Sequence, residues 1–216
     1  MEKTLPVFAI NRLRVGTDGD GITTLIGVHG CPLRCTYCIN QMVWDSKTLV
    51  RPFGLRELYE EVKIDNLYFQ ASGGGVTFGG GEALLHASFI RSFKEQYARE
   101  WRVVLETSLQ APRTCVEEAI QGVDFFIVDC KDMNATIYEK YTKQPATRMQ
   151  ENLAYLLQEV GPERIMVRVP YIPEYNTRED TEKSIRQLKG MGITKIDSFD
   201  YIVDWDPNRF QGDAES

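Results

Sequence analysis

Two kinds of apolar pattern alternate along the chain. Short continuous apolar runs, rich in β-branched residues and bounded by Gly or Pro, lie at Ile22–Val28, Gly75–Phe78, Arg102–Glu106, Asp124–Asp129, Arg164–Val169 and within Ile193–Val203. Such runs suit strands covered on both faces, as in a parallel sheet. Helical spacing fills the gaps. From Leu55 to about Phe69, Leu55, Leu58, Tyr59 and Val62 share one face. Leu84–Ala98 repeats the pattern with Leu85, Phe89, Ile90 and Phe93. Arg113–Ile120 follows Pro112, which suits a first turn. Thr147–Val160 stops at Gly161-Pro162, and Thr177 opens a charged helix that runs to Gly190. Alternating strands and helices imply right-handed βαβ crossovers. About six such units are present, whereas a closed eight-stranded barrel takes about 250 residues. The predicted fold is α/β: a partial, open (β/α)6 barrel of TIM type with a parallel sheet. No linker, repeat or low-complexity tract divides it, so a single domain over 1–216 is expected. The polar stretch Asp206–Ser216 is expected to be loosely held.

Composition narrows the function. The chain has 216 residues, 25 Lys plus Arg, 31 Asp plus Glu and a formal net charge of −6. That sign disfavours coating a polyanion, so no nucleic-acid partner is expected. No apolar stretch approaches the roughly 18 residues of a membrane span. Met1–Val15 lacks the apolar run of a signal peptide. A cytoplasmic protein with reduced thiols is expected. The five cysteines are Cys31, Cys35, Cys38, Cys115 and Cys130, an odd number with three crowded together. That distribution argues for a metal or cluster site over a disulfide framework.

The sharpest signal is Gly30-Cys31-Pro32-Leu33-Arg34-Cys35-Thr36-Tyr37-Cys38, a C-x-x-x-C-x-x-C loop directly after the first predicted strand. Strand C-termini are where parallel α/β folds place their active sites. Three thiolates on one loop can hold three corners of an iron–sulfur cube and leave one iron open to an exogenous ligand. A structural zinc site would want four closed ligands, with His29 the only nearby fourth candidate. A four-cysteine electron-transfer cluster would need Cys115 or Cys130. Uncoordinated structural thiols are the remaining reading.

The second signal is Ser72-Gly73-Gly74-Gly75-Val76-Thr77-Phe78-Gly79-Gly80-Gly81-Glu82-Ala83. It has no Lys to complete a phosphate loop. Glycines let backbone approach a ligand, and carbonyls with one carboxylate suit an ammonium group. An ordinary glycine-rich strand end with a solvated Glu82 is the plainer alternative. Asp129 and Lys131 alternate across a predicted strand end, where a terminal salt bridge competes with a ligand-contacting role. Arg168 suits a bidentate carboxylate contact, or a paired arginine inside the barrel.

The cysteine loop, with Tyr37 before its third cysteine, resembles the signature of the radical S-adenosylmethionine (radical SAM) superfamily. The Gly-rich segment followed by Glu82-Ala83-Leu84-Leu85 is similar to glycyl-radical-enzyme activating proteins of the pyruvate formate-lyase type. Further matches are Gly16–Gly21, with Asp20 where the family's D-G-P-G motif has proline, Asn40, Trp44-Asp45, Asp129–Asn134 and Arg168-Val169-Pro170. Together they cover about residues 7 to 203. The resemblance implies a [4Fe–4S] cluster on Cys31, Cys35 and Cys38, through which these three act in catalysis. It places S-adenosylmethionine (SAM) near Tyr37, Gly79, Gly80, Gly81, Glu82, Glu106, Thr107, Asp129, Lys131 and Arg168, with Glu82 toward the SAM amino group. In the relatives an aspartate at the position of Glu106 helps hold a monovalent cation beside SAM. The implied reaction cleaves SAM reductively to a 5′-deoxyadenosyl radical, which abstracts a glycine α-hydrogen from a partner glycyl radical enzyme. Flavodoxin or ferredoxin would supply the electron, and a monomer is expected.

The chain also departs from that family. Asp204-Trp205 stands where relatives carry a histidine near the SAM ribose, and the tail is shorter. No second cysteine set exists, so no inserted ferredoxin-like domain is expected. The short end motivates an alternative substrate, a small molecule or peptide. A non-enzymatic iron–sulfur protein without SAM turnover is the reading from another class.

Overall fold

The computed structural model describes residues 4–201. Among them, eight strands form one sheet: β1 (Leu5–Val15), β2 (Ile22–Val28), β3 (Arg51–Phe53), β4 (Gly75–Gly80), β5 (Arg102–Thr107), β6 (Phe125–Asp129), β7 (Ile165–Tyr171) and β8 (Lys195–Asp200). The sheet order is β3-β1-β2-β4-β5-β6-β7-β8. From β2 to β8 all six strands are parallel, as the apolar runs predict. Seven helices accompany them: α1 (Leu55–Val62), α2 (Asn66–Ser72), α3 (Ala87–Gln96), α4 (Arg113–Ile120), α5 (Ala135–Thr142), α6 (Thr147–Val160) and α7 (Arg178–Gly190).

Burial explains the layering. β4 is buried almost throughout, while β8 is exposed along nearly all its length because it ends the sheet. The main core lies between sheet and helices, with Phe78, Phe93, Phe126 and Leu153 fully buried. A smaller inner cluster, Val104, Phe125 and Ile127 with Met166, fills the concave side. No helix among the described residues is long and apolar enough to cross a membrane.

Three elements depart from the sequence expectation. β1 and β3 add an antiparallel edge that the parallel pattern does not contain. β1 alternates as a half-exposed strand, and Asn11, Arg12 and Arg14 mask its apolar period. The single helix expected from Leu55 to about Phe69 breaks at a 3-10 turn, Lys63–Asp65. There Asp65 turns inward and is nearly buried, accepting bonds from Arg12 Nη1 (2.7 Å) and Thr24 Oγ1 (2.8 Å). α5 is additional. Its β-branched and aromatic residues are weak helix formers, and the helix rests on the Asn134 side-chain cap and burial of Tyr138 and Tyr141. Elsewhere only ends move: α3 begins at Ala87, after a 3-10 turn at Ala83–His86. The expected extension of the last strand to Val203 and the tail Asp206–Ser216 lie outside the described residues.

Candidate active site

At the C-terminal ends of the parallel strands lies a cavity of about 750 Å³. That is within the usual range for small-molecule sites. Its walls come from opposite ends of the sheet. Gly16 and Thr17 of the β1–β2 loop and the cysteine loop form one side, and β8 forms the other. The sheet therefore curls, and Arg168 on β7 donates from Nη2 to the Thr17 carbonyl across the opening (2.5 Å).

The cysteine loop leaves β2 and crosses to α5. The Arg34 amide donates to the Thr142 carbonyl (2.9 Å) and the Thr36 amide to the Tyr141 carbonyl (3.3 Å). All three cysteines line the cavity, with Cys35 only 8% exposed. Burial, then the Glu82 carboxylate, pushes the Cys31 thiol up to about 12. Burial pushes Cys35 to about 11, against the opposing pull of Lys131. Bare thiols here are protonated, so holding them as thiolates takes a strongly positive centre. Among the described residues, no three His, Cys, Asp or Glu side chains converge to hold a single metal ion. Three thiols that share a cavity without sharing a point suit separate iron corners better than one zinc. Cys130 is fully buried and Cys115 sits at the start of α4; neither lines the cavity. A three-thiol [4Fe–4S] cluster fits the residues present.

The glycine segment ends beside this loop. The Gly81 amide donates to the Val28 carbonyl and the Glu82 amide to the Gly30 carbonyl, both at 2.9 Å. A Cβ on Gly81 would lie 2.3 Å from the Gly30 oxygen, and Gly80 holds φ +91, so side chains are excluded where these two residues face the cavity. Asn40 donates from Nδ2 to the Gly80 carbonyl (3.1 Å).

Glu82 is 1% exposed. Its carboxylate accepts from Thr107 Oγ1, from the Ser108 amide and hydroxyl, and from the Leu84 amide. Burial raises its pKa, and those donors oppose the rise. The carboxylate is thus engaged by protein, binding the end of β4 to the end of β5. Thr107 lines the cavity but spends its hydroxyl proton on Glu82.

Two acid–base pairs line the remaining wall, and a third, Arg14–Asp18, lies within electrostatic reach of Glu106 and Arg168. Arg168 Nη1 donates to Glu106 Oε1 (2.8 Å) and lies 3.9 Å from Asp129 Oδ1. Lys131 Nζ sits 3.3 Å from Asp129 Oδ2 and 5.7 Å from the Tyr201 ring centroid. Burial lowers the Lys131 pKa, but Asp129 and the neighbouring tyrosines and Cys35 outweigh it, so Lys131 stays charged. Arg14 pairs with Asp18. Burial raises Glu106 to about 7 despite Arg168. Arg168 already stands as the cation beside Glu106, so these residues do not call for a further cation there.

The structure brings together all the predicted contacts except two. Gly79 lies one residue short of the cavity wall, and a Cβ there would meet Glu106 Oε2 at 2.6 Å. Tyr37 turns away, packing on Tyr141 and Tyr175, with its hydroxyl donating to Glu174 (2.7 Å). Sequence reasoning gave no role to Ser108 or to the β8 residues Asp197 and Phe199, which also line the cavity. Ser108 directly follows Glu106-Thr107, which was the one available signal.

Comparisons with known proteins agree with this geometry. A model of the radical SAM superfamily matches residues 25–194. The pyruvate formate-lyase 2-activating enzyme of Escherichia coli (strain K12) is 29% identical, covering 88% of this chain and 75% of that one. The isethionate sulfite-lyase activating enzyme of Desulfovibrio desulfuricans is 37% identical over 59% of this chain. The (2S)-3-sulfopropanediol dehydratase activating enzyme of Klebsiella oxytoca is 34% identical over 66%. The chain spans 40% and 46% of the length of these last two. Among solved structures, Streptococcus suis SuiB bound to the precursor peptide SuiA has a TM-score of 0.62 at 11% identity, covering 82% of this chain and 38% of that one. Methylornithine synthase has a TM-score of 0.56 at 14% identity, covering 80% and 51%. Both share the fold. The chain belongs to the radical SAM superfamily, whose members work with a [4Fe–4S] cluster and S-adenosylmethionine.

Proposed function

We propose that this chain is a glycyl-radical-enzyme activating protein of the pyruvate formate-lyase type, built as one radical SAM domain over about residues 7–203. The observation that carries the reading is the cavity shared by Cys31, Cys35 and Cys38 with Gly80, Gly81, Asp129, Lys131 and Arg168. Sequence similarity to three activating enzymes supports it.

Cys31, Cys35 and Cys38 hold the cluster in this reading. Gly80 and Gly81 present backbone to SAM, and Glu82 positions that backbone through its bonds to Thr107 and Ser108. Lys131 stays charged beside Cys35 and Asp129, where it offsets negative charge or meets a carboxylate. Arg168 and Glu106 close the wall by pairing with each other. When bound, the reduced cluster and SAM supply a one-electron cleavage that yields a hydrogen-abstracting carbon radical. The open side at β8 admits a glycine-bearing loop of the partner enzyme. A flavodoxin or ferredoxin supplies the electron, and the protein acts as a cytoplasmic monomer.

The test is anaerobic reconstitution with iron and sulfide, followed by SAM and dithionite. 5′-Deoxyadenosine should form, and a pyruvate formate-lyase-type partner should develop a glycyl doublet in its EPR spectrum. Absence of 5′-deoxyadenosine would sink the reading. 5′-Deoxyadenosine without a doublet on any such partner would move the substrate to a small molecule or peptide.

A further inference from the structure

Most cationic side chains around the cavity are paired: Arg14 with Asp18, Arg168 with Glu106, Lys131 with Asp129. On the outer side of the cysteine loop three are not paired with any carboxylate among the described residues. Arg34 is exposed and fixed to its own loop, donating from Nη1 to the carbonyls of Cys31 (2.7 Å) and Leu33 (3.0 Å) and lying over the Trp44 ring (5.1 Å). Lys143 donates from Nζ to the Lys140 carbonyl (2.7 Å). Lys140 stands 5.2 Å from the Tyr175 ring centroid. The backbone bonds from Arg34 and Thr36 to Thr142 and Tyr141 bring these charges onto one face. Two exposed acids share it, Glu139 beside Lys140 and Glu174, whose carboxylate is occupied by the Tyr37 hydroxyl. The face stays net positive on a chain of net charge −6.

Aromatic rings lie between this face and the thiols. Tyr175 meets Tyr141 edge to face at 5.0 Å, and Tyr141 packs with Cys35 in one apolar cluster. The inner side of the thiols opens into the cavity, which the proposed function fills with SAM and substrate. An electron must then enter from the outer side.

We propose that the Arg34–Lys140–Lys143 face docks a small acidic one-electron carrier, which gives up one electron as the cluster gains it. The proposal rests on the radical SAM reading of the cavity. Opposite charge would steer the carrier to this positive face beside the thiols, on a chain whose net charge is −6.

The test uses reconstituted holoenzyme with Lys140→Glu/Lys143→Glu. Anaerobic stopped-flow follows cluster reduction by reduced flavodoxin and, separately, by dithionite. At low salt the variant should reduce about tenfold more slowly with flavodoxin, within the usual reach of electrostatic steering. The gap should close above about 0.1 M salt, where screening falls to about 10 Å. Dithionite-driven reduction and the cluster's midpoint potential should not move. Lys183→Glu/Lys189→Glu on α7 makes the same change in total charge and should slow flavodoxin far less. An unchanged flavodoxin rate, an equal loss in the α7 variant, or a fall with dithionite or a moved potential would each overturn the docking proposal. Cluster reduction is read directly, so a failure to form 5′-deoxyadenosine would sink the enzymatic reading without touching this one.

Discussion

Glu106 is the residue with the most distinctive chemistry outside the thiols. Burial holds its pKa near 7 even though Arg168 and its 2.8 Å bond pull the other way. A carboxyl raised in the folded state binds its proton more tightly there than in the unfolded chain. Its contribution is therefore most favourable below pH 4.5 and is lost as pH rises from about 4.5 toward 7. The size is about 3 kcal/mol at that spread. In cluster-free protein, Glu106→Gln should escape this part of the loss. Urea midpoints at pH 4.5 and 7.5 should fall less for the variant than for wild type, over a constant offset from the orphaned Arg168. Equal pH slopes would show that Glu106 ionises normally. At this scale much was legible. The cysteines, Gly80, Gly81, Asp129, Lys131 and Arg168 can be read from spacing and resemblance, because each stands at a strand end that the apolar runs define. The spacing brings Glu82 to the cavity wall but does not carry the bonds its carboxylate makes. Whether a carboxylate faces a ligand or protein donors depends on Ser108 and Thr107, residues on a different strand end.

Among the elements, α5 links the fold to the thiols. Its N-terminus is capped by Asn134, whose side chain accepts from the Thr136 (2.9 Å) and Ile137 (3.4 Å) amides. Its C-terminal carbonyls at Tyr141 and Thr142 hold the cysteine loop. Asn134→Ala removes the cap at a cost of about 1 kcal/mol. The loss should appear locally as faster hydrogen exchange at the Arg34 and Thr36 amides, with the protection of β4 and β5 unchanged. If those two amides keep their protection, α5 does not brace the loop. The helix escaped sequence reading because Ala135–Thr142 has little helical propensity and no clear apolar stripe; tertiary burial decides it. The break at Lys63–Asp65 escaped for a related reason, since the pull on Asp65 comes from Arg12 on a strand far earlier in the chain. β4, β5 and β6 were legible because burial on both faces leaves an unbroken apolar signature, which exposed β8 lacks.

For the molecule as a whole, the cavity walls come from opposite ends of one sheet. A ligand that fills the cavity therefore joins the β1–β2 loop to β8, a gap that the bond from Arg168 on β7 to the Thr17 carbonyl crosses only as far as β7. In cluster-loaded protein, SAM at about a hundred times its Kd should add about 2.7 kcal/mol of stability. Hydrogen exchange should slow at both the Gly16–Thr17 loop and β8. Protection at one end only would mean the ligand sits on that wall without bridging the gap. The antiparallel edge made by β1 and β3 lay beyond the sequence reading, since a half-exposed strand with charged outer positions carries a weak signature. The dependence of the cysteine loop on α5 also has a consequence for biosynthesis. A ribosome delivers the three cysteines about a hundred residues before Tyr141 and Thr142 emerge, and chains fold from the N-terminus as they appear. Until α5 is made, the middle of the loop, between its anchors at Gly30 and Asn40, lacks the partners of Arg34 and Thr36, so assembly machinery that hands over iron and sulfide meets a finished loop only on a chain translated past that helix.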